Sequence, residues 1–532
     1  MSSSPIRSES GEPSARPAHT IEAVDAIAGF DRGTLDRARL SRDPRFDGKF
    51  FIAVTSTGIY CRPICPSPTS NVANVTYYAT AAAAAEAGFR PCLRCRPEAA
   101  PGTPAWLGTS AVVRRALRLI QEGYLDEASV DALAASVGVG PRHLHRLFVQ
   151  HVGASPIIVA QTRRLHFAKR LLDESDLLMT EIALAAGFGS LRRFNHAFRK
   201  TYGRAPREMR RLRRGGLTAS AREGVVLRLA FRPPYDWPYV RAFLARRAVP
   251  GVERVDERGY ARTVAVGDRH ALVCVRPLDR EHALELRVRG ASPDALLQFS
   301  STARRVFDLA ADPARIAAAF RSDPLLGPLV RRRPGLRIAG VWDPFECAVR
   351  CVLGQPAGVE ASCALTARLV QRTGRPIDGA VDGLTHLFPS AAELKAADLE
   401  GVGITGSRAT ALRALADAVA EGTLDFGAPA EEVTARLEAL PGFGASSAAC
   451  VALRALGEPD AFPAADLDLR RIAAAGAMPL TTSALEERAE AWRPWRGYAA
   501  FHLSAVACPA LHPDGATSGI RRPHLTLSPG RA

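Results

Sequence analysis

The sequence predicts a multidomain α+β protein of four folded units: a small cysteine-stapled α/β unit, an all-α unit with tandem helix-turn-helix segments, a small antiparallel-sheet α+β unit, and a mostly α carboxy-terminal unit. Three observations carry this. At 532 residues the chain is too long for one hydrophobic core. Two tight cysteine pairs lie between residues 61 and 95, in a stretch whose few large apolar residues call for a staple. The apolar spacing is helical over residues 108–214, alternates with a two-residue period from 224, and returns to alanine-rich helix near 303.

Residues 1–22, rich in Ser, Pro and Glu without periodicity, read as a disordered tail. The first unit spans 23–100: "KFFIAVTSTGIY" reads as strand, "TAAAAAEAGF" as a short helix, and the cysteine pairs fall in the loops around them. "EAAPGTPAW" reads as a linker. Residues 108–214 are helical, broken by Gly and Pro, and end in the basic run "REMRRLRRGG". Residues 222–302 alternate as strands in "GVVLRLAFRPPYDW" and "ARTVAVGDRHALVCVRP". Helices fill 303–508, and 509–532 read as a second disordered tail.

Apolar residues make up 47% of the chain and charged ones 23%, a balance that suits folded units throughout. No run of about 18 apolar residues occurs and the amino terminus lacks the apolar stretch of a signal peptide, so a cytoplasmic protein without a membrane partner is expected. The net charge of +16 suits a polyanion such as nucleic acid. Ten cysteines are too sparse for a disulfide scaffold, and their tight pairs point to metal.

Cys61-x3-Cys65 and Cys92-x2-Cys95 are two chelating hooks whose sulfurs can close a tetrahedron around one Zn2+. Most four-cysteine sites are structural; the arginines beside these leave open that one sulfur reacts. The flanking segments "DGKFFIAVTSTGIYCRPICP" and "NVTYYATAAAAAEAGFRPCLRCRP" resemble the amino-terminal domain of Ada-type DNA repair proteins over residues 40–98. The resemblance implies that Cys61 accepts a methyl group from a methylated DNA phosphate and that Cys65, Cys92 and Cys95 bind the zinc with it. Where many members carry a basic residue between the hooks this chain has "SPTSNVAN", with Pro68, Asn71 and Val72, so phosphate contacts are expected from Thr57, Arg62 and Arg90.

In "SVDALAASVGVGPRHLHRLFVQHVG" a helix bearing Leu133 and Val137 meets Gly138, and a second starts near Pro141. "TEIALAAGFGSLRRFNHAFRKTYGRAPREMR" repeats the pattern, with Gly187 at the turn and a helix from Ser190. Joined by "PIIVAQTRRLHFAKRLL", the pair resembles the DNA-binding domain of the AraC family over 110–214. A plain bundle would explain the leucines but not the donors on the second helices: Arg142, His143, His145 and Arg146, then Arg192, Arg193, Asn195, His196 and Arg199. Sequence-specific binding of promoter DNA is expected, with RNA polymerase as a further partner.

In "RLEALPGFGASSAACVALRALG" a hairpin joins two helices, and Gly442 and Gly444 allow a turn whose amides can hold a DNA phosphate. With "FRPPYDWPYVRAFLARRAVPGVE", "WDPFECAVRCVLGQ", "DAFPAADLDLRRI" and "AWRPWRGYAAFHL", it resembles the AlkA-type 3-methyladenine DNA glycosylase of the helix-hairpin-helix superfamily over 224–508. The match gives Asp466 the catalytic role, with Asp468 as runner-up; a helix N-cap role for Asp466 is compatible. Ser446 stands where lyase-type relatives have lysine, which implies a monofunctional enzyme. Ser446, Cys450 and Ser504 match positions where the family presents rings to the flipped base, and Gln355 with Pro356 match the wedge. A stacked ring is worth ~1–3 kcal/mol, so base binding is expected to rest on other aromatics such as Phe345, Phe443 or Phe462.

The reading is a bacterial, nucleoid-associated alkylation-damage protein. It takes methyl from DNA methylphosphotriesters onto Cys61, once per molecule, binds specific DNA, and excises alkylated purines such as 3-methyladenine. No Pro-Cys-His-Arg motif occurs, so transfer from O6-alkylguanine is not expected. The alternative is a methylation-sensing activator whose glycosylase half is a weak or inactive DNA clamp.

Overall fold

In "FFIAV" every residue is apolar, which suits a strand covered on both faces. The computed structural model describes residues 26–27, 29–101, 111–211, 224–278, 281–354, 358–474 and 478–507. In the first unit α1 (Arg32–Ser41) precedes a sheet of β1 (Phe51–Val54), β2 (Ile59–Cys61), β3 (Val75–Tyr78) and, after α2 (Ala81–Glu86), β4 (Arg90–Pro91), in the order β3-β1-β2-β4. The expected strand "KFFIAVTSTGIY" is thus a hairpin turning at Thr55–Gly58, and Cys61 closes β2 rather than lying in a loop. Ile52 and Val54 pack with Leu35 and Ala38 of α1, while Phe51 and Ala53 face Ala84 of α2, as the two-residue period requires.

The next unit is all helix: α3 (Ala111–Glu122), α4 (Tyr124–Glu127), α5 (Val130–Ser136), α6 (Pro141–Val152), α7 (Pro156–Glu174), α8 (Met179–Ala185), α9 (Leu191–Tyr202) and α10 (Pro206–Arg211). Ser129, Ser155 and Ser190 cap α5, α7 and α9 through their side chains. Gly187, between α8 and α9, has φ +82°, and a Cβ there would lie 2.2 Å from the Asp126 carboxylate, so glycine is required twice over.

A five-stranded antiparallel sheet follows, made of β5 (Val225–Ala230), β6 (Glu253–Asp256), β7 (Gly259–Val266), β8 (Arg269–Pro277) and β9 (Ala283–Arg289) in the order β5-β9-β8-β7-β6, with α11 (Trp237–Ala245) between β5 and β6. The helical remainder runs α12 (Leu296–Val306), α13 (Pro313–Phe320), α14 (Leu326–Arg332), α15 (Pro344–Leu353) and α16 (Gly358–Thr373), then the hairpin β10 (Pro376–Val381) and β11 (Leu384–His386). It continues with α17 (Ala391–Lys395), α18 (Leu399–Val402), α19 (Gly406–Ala420), α20 (Ala430–Glu438), α21 (Ala445–Arg454), α22 (Leu467–Ala473), α23 (Thr482–Ala489) and α24 (Arg496–Ala507). Both tails, most of the expected linker, part of the basic run, and Gln355 with Pro356 lie outside the described residues.

The units share cores and polar joints. One apolar cluster runs from Leu171 and Phe198 through Leu227 and Val273 of the sheet to Phe307 and Tyr498, and a second fills α15 to α21. Lys49 of the first unit pairs with Asp312 at the start of α13 at 2.7 Å, both side chains at most 4% exposed. Arg232, fully buried, donates from Nε to the Asp47 carbonyl (2.9 Å) and from Nη1 to that of Ala310 (2.8 Å). Tyr60 and His166 of α7 are hydrogen-bonded at 2.9 Å, and burial drops the His166 imidazole to about 4.

Candidate functional site

The end of β2, the turn after it, and the loop after β4 converge on four sulfurs. Cys61, Cys65, Cys92 and Cys95 place their Sγ atoms within 4.8 Å of one another, as a tetrahedron of Zn–S bonds near 2.3 Å requires. Backbone bonds fix the hooks: the Cys65 amide donates to the Arg62 carbonyl (3.1 Å) and that of Cys92 to the Tyr60 carbonyl (2.9 Å). Cys92 and Cys95 are buried, whereas Cys61 and Cys65 are half-buried, so one side of the site meets solvent. Four sulfurs this close raise one another's cost of ionising. A divalent cation removes that cost and lets all four be thiolates.

Arg62 differs from its expected phosphate-facing role. Its guanidinium pairs with Asp47 through Nε (2.8 Å) and Nη2, donates from Nη1 to the Cys95 carbonyl (3.0 Å), and is 11% exposed. Its amide donates to the Cys95 sulfur at 3.3 Å. The buried carboxylate draws the head inward, which leaves Thr57 and Arg90, both exposed, as the outward groups of the three. Asp47 was not foreseen, because its partner lies 15 residues away with no helical or strand spacing to link them.

On α6, Arg142, His143, His145 and Arg146 are exposed while Leu144 and Phe148 are buried; Arg146 Nη2 meets His143 Nδ1 at 2.9 Å. On α9, Arg192, Arg193, His196 and Arg199 are exposed and Asn195 is half-buried, while Phe194 and Phe198 are buried. Both second helices therefore present their donors to solvent, the arrangement a groove-reading helix needs.

In the carboxy-terminal unit the hairpin lies between α20 and α21, with Gly442 at φ +78° and Gly444 starting α21 without a side-chain cap. Asp466 is the N-cap of α22; one carboxylate oxygen accepts from the amides of Asp468 (2.9 Å) and Leu469 (3.0 Å). The residue is exposed on one side, and the protein on the other side raises its carboxyl above the usual aspartate value by removing water, with Asp468 and Cys450 adding to the rise. Asp468 points its own side chain toward Arg471 at 3.6 Å. Ser446 and Cys450, one turn apart on α21, and Ser504 on α24 are half-buried. Of the substitute aromatics, Phe345 and Phe443 are buried in the core of α15 to α21, and half-buried Phe462 packs edge-on against Trp492 at 5.9 Å.

Residues 34–98 match the metal binding domain of Ada, 133–212 a helix-turn-helix domain, and 226–343 the AlkA N-terminal domain. The chain is 40% identical, over 88% of its length and 95% of the relative's, to a Mycobacterium tuberculosis protein named probable bifunctional transcriptional activator/DNA repair enzyme AlkA. It is 35% identical to DNA-3-methyladenine glycosylase 2 of Escherichia coli K12, over 52% of this chain and 95% of that one. It is 36% identical to the bifunctional transcriptional activator/DNA repair enzyme Ada of the same organism, over 32% of this chain and 47% of that one. The matched metal binding domain and the four gathered sulfurs make this one Zn2+ site.

Proposed function

The chain belongs to the family of bifunctional transcriptional activator/DNA repair enzymes, and from that premise we propose that it repairs alkylated DNA at two separate sites and regulates transcription through the helices between them. At the first site the Cys61 sulfur attacks the methyl carbon of a methylphosphotriester. A sulfur–carbon bond forms, the carbon–oxygen bond breaks, and the pair stays on the phosphate as an ordinary diester. Zinc supplies the charge that keeps the sulfur a thiolate at neutral pH. Four thiolates on one dication leave −2, so a neutral triester approaches where a diester is repelled. The thioether has no route back, and each molecule acts once.

Transfer also removes one negative charge from a surface facing DNA. At ~4 Å from a phosphate that is worth about 1 kcal/mol in water and about 4 at an effective dielectric of 20, several-fold to several-hundred-fold in affinity. Methylation thereby tightens promoter binding by α6 and α9. The activator role adds RNA polymerase as a partner and a nucleoid location.

At the second site Asp466 stabilises the positive charge that develops on the sugar as an alkylated purine leaves, and orients water. With Ser446 in place of an amine, the reaction stops at base release. One observation favours the rival clamp: Ser446, Cys450 and Ser504 offer no ring, and Phe345 and Phe443 are held in the core.

The half-exposed Cys61 beside buried Cys92 and Cys95 carries the first activity. Its test is fragment sequencing by mass spectrometry after incubation with methylated duplex. A methyl on Cys61, absent in Cys61→Ser, supports the reading; a methyl on Cys65 alone refutes it. Release of 3-methyladenine by the full chain, lost in Asp466→Asn, decides between glycosylase and clamp.

A further inference from the structure

The loop between the two cysteine hooks carries no charge of its own: residues 63–85 contain no Asp, Glu, Lys, Arg or His. Helix α1 brings charge to it from outside. Arg42, at the end of α1, donates from Nη2 to the Ser67 carbonyl (3.2 Å), and Arg39 from Nη1 to that of Ser70 (3.0 Å). Arg32 donates from Nη2 to the carbonyls of Val72 and Val75, at 3.4 Å each. Helix and loop therefore run antiparallel, with three guanidiniums spread from two residues beyond Cys65 to the start of β3.

The three heads are not equivalent. Arg39 is 5% exposed and its Nη2 lies 3.7 Å from Asp36, so it serves the loop. Arg32 is 56% exposed and stands 3.9 Å from the same carboxylate, which also accepts from the Tyr77 hydroxyl. Arg42 is exposed and pairs with no carboxylate among the described residues. Three arginines against one aspartate leave the strip cationic, and the loop offers nothing to offset it. Arg42 also has φ 51°, a left-handed backbone that glycine would adopt more easily. A side chain kept there, with one bond to a carbonyl and further donors free for solvent, is a head held ready for an anion.

We propose that Arg42 and Arg32 are backbone-phosphate contacts of the methyl-acceptor site, binding the ordinary diesters beside the methylated one, with Arg39 as the positioning residue that ties the loop to α1. The neutral triester meets the zinc-held sulfur, and its charged neighbours meet the strip. Two residues of chain span at most about 7 Å, so the Ser67 end of the strip lies close to Cys65 and offsets the repulsion that the anionic sulfurs exert on those neighbours. This role rests on the proposed methyl transfer; the cationic strip does not.

The experiment measures affinity of the zinc-loaded full chain, over a range of salt, for a short duplex bearing one methylphosphonate. That group is neutral like the triester, but its methyl sits on phosphorus and does not transfer. Each phosphate contact adds about 0.9 to the slope of log affinity against log salt, and contacts made elsewhere cancel between variants. Arg42→Gln and Arg32→Gln, which retain an amide donor, are expected to flatten the slope by about 0.9 apiece, and the corresponding lysine variants to restore it. Arg37→Gln is the control for net charge and keeps the unmutated slope, because Arg37 bonds to Thr34 Oγ1 (2.9 Å) within its own helix. An unchanged slope in either glutamine variant, an equal loss in Arg37→Gln, or a loss of slope or bound zinc that lysine does not restore overturns the proposal. On a duplex with one methylphosphotriester, methyl uptake at low salt falls several-fold in Arg42→Gln and recovers in Arg42→Lys; uptake that stays at the unmutated level also overturns it. An unmutated chain that takes up no methyl strikes the proposed acceptor, and the slopes still decide the strip.

Discussion

On the proposed function the sulfur site and the carboxylate site each present an anion to DNA, and they hold it in different ways. Around Cys61 the anion is concentrated: four sulfurs within 4.8 Å, two of them buried, are tolerable as thiolates because a dication is shared among them. Around Asp466 it is single, and two backbone amides at the start of α22 are enough. In the proposed function the first arrangement gives a nucleophile that is consumed, the second a charge that serves repeatedly. Stability follows the same division, since the sulfur site is also the staple of its unit and the carboxylate site is only the cap of a seven-residue helix.

The strongest way to break this contrast is to remove the metal. Chelation is expected to abolish methyl uptake and unfold residues 34–98, because structural zinc contributes on the order of 10–16 kcal/mol, whereas base release survives; circular dichroism and both activity assays on one sample check it. Next in size is the joint between the two regions. Asp312→Ala strands the buried Lys49 ammonium and is expected to cost ~3–5 kcal/mol in urea unfolding, with Lys49→Met in the same chain recovering most of it.

Asp466→Asn keeps the cap but removes the charge, and base release is expected to drop about 10²–10³-fold with methyl uptake untouched. The same carboxyl gives a pH signature. Its pKa is raised, so as pH falls the group is protonated, and base release lost, at a higher pH than an ordinary aspartate with its value of 3.8 would give. Methyl uptake shows no such limb from this group.

His166 sharpens the comparison at the level of folding. The folded imidazole titrates near 4 and the unfolded one near 6.5, so the unfolded chain binds the extra proton between those values. Stability is therefore full above about pH 6.5 and falls toward pH 4 by roughly 3 kcal/mol at ~1.4 kcal/mol per unit, a slope that His166→Gln should flatten. The smallest effect is expected from Gly442→Ala. The left-handed backbone costs ~1–2 kcal/mol and the new methyl lies 2.7 Å from Ala411 Cβ, so affinity for undamaged duplex weakens while methyl uptake does not change.

Local chemistry made much of this legible. The two hooks name their metal by spacing, Gly138 and Gly187 mark turns that only a positive φ allows, and the alternation in 225–289 is a sheet with one face buried. What could not be read is whatever depends on distant pairing. Arg62 beside two reactive-looking cysteines suggests an outward cation, but a carboxylate 15 residues upstream draws it inward. Phe345 and Phe443 have the right chemistry for a base pocket, yet hydrophobic burial places them in the core.

The fully buried Arg232, bonded to carbonyls of two different units, has a consequence for how the molecule comes apart. With Lys49–Asp312 and Tyr60–His166 it fastens the amino-terminal unit to the remainder by contacts that do not run through the backbone. A single proteolytic nick between residues 101 and 111 would then leave two fragments that co-elute on gel filtration, parting only in denaturant.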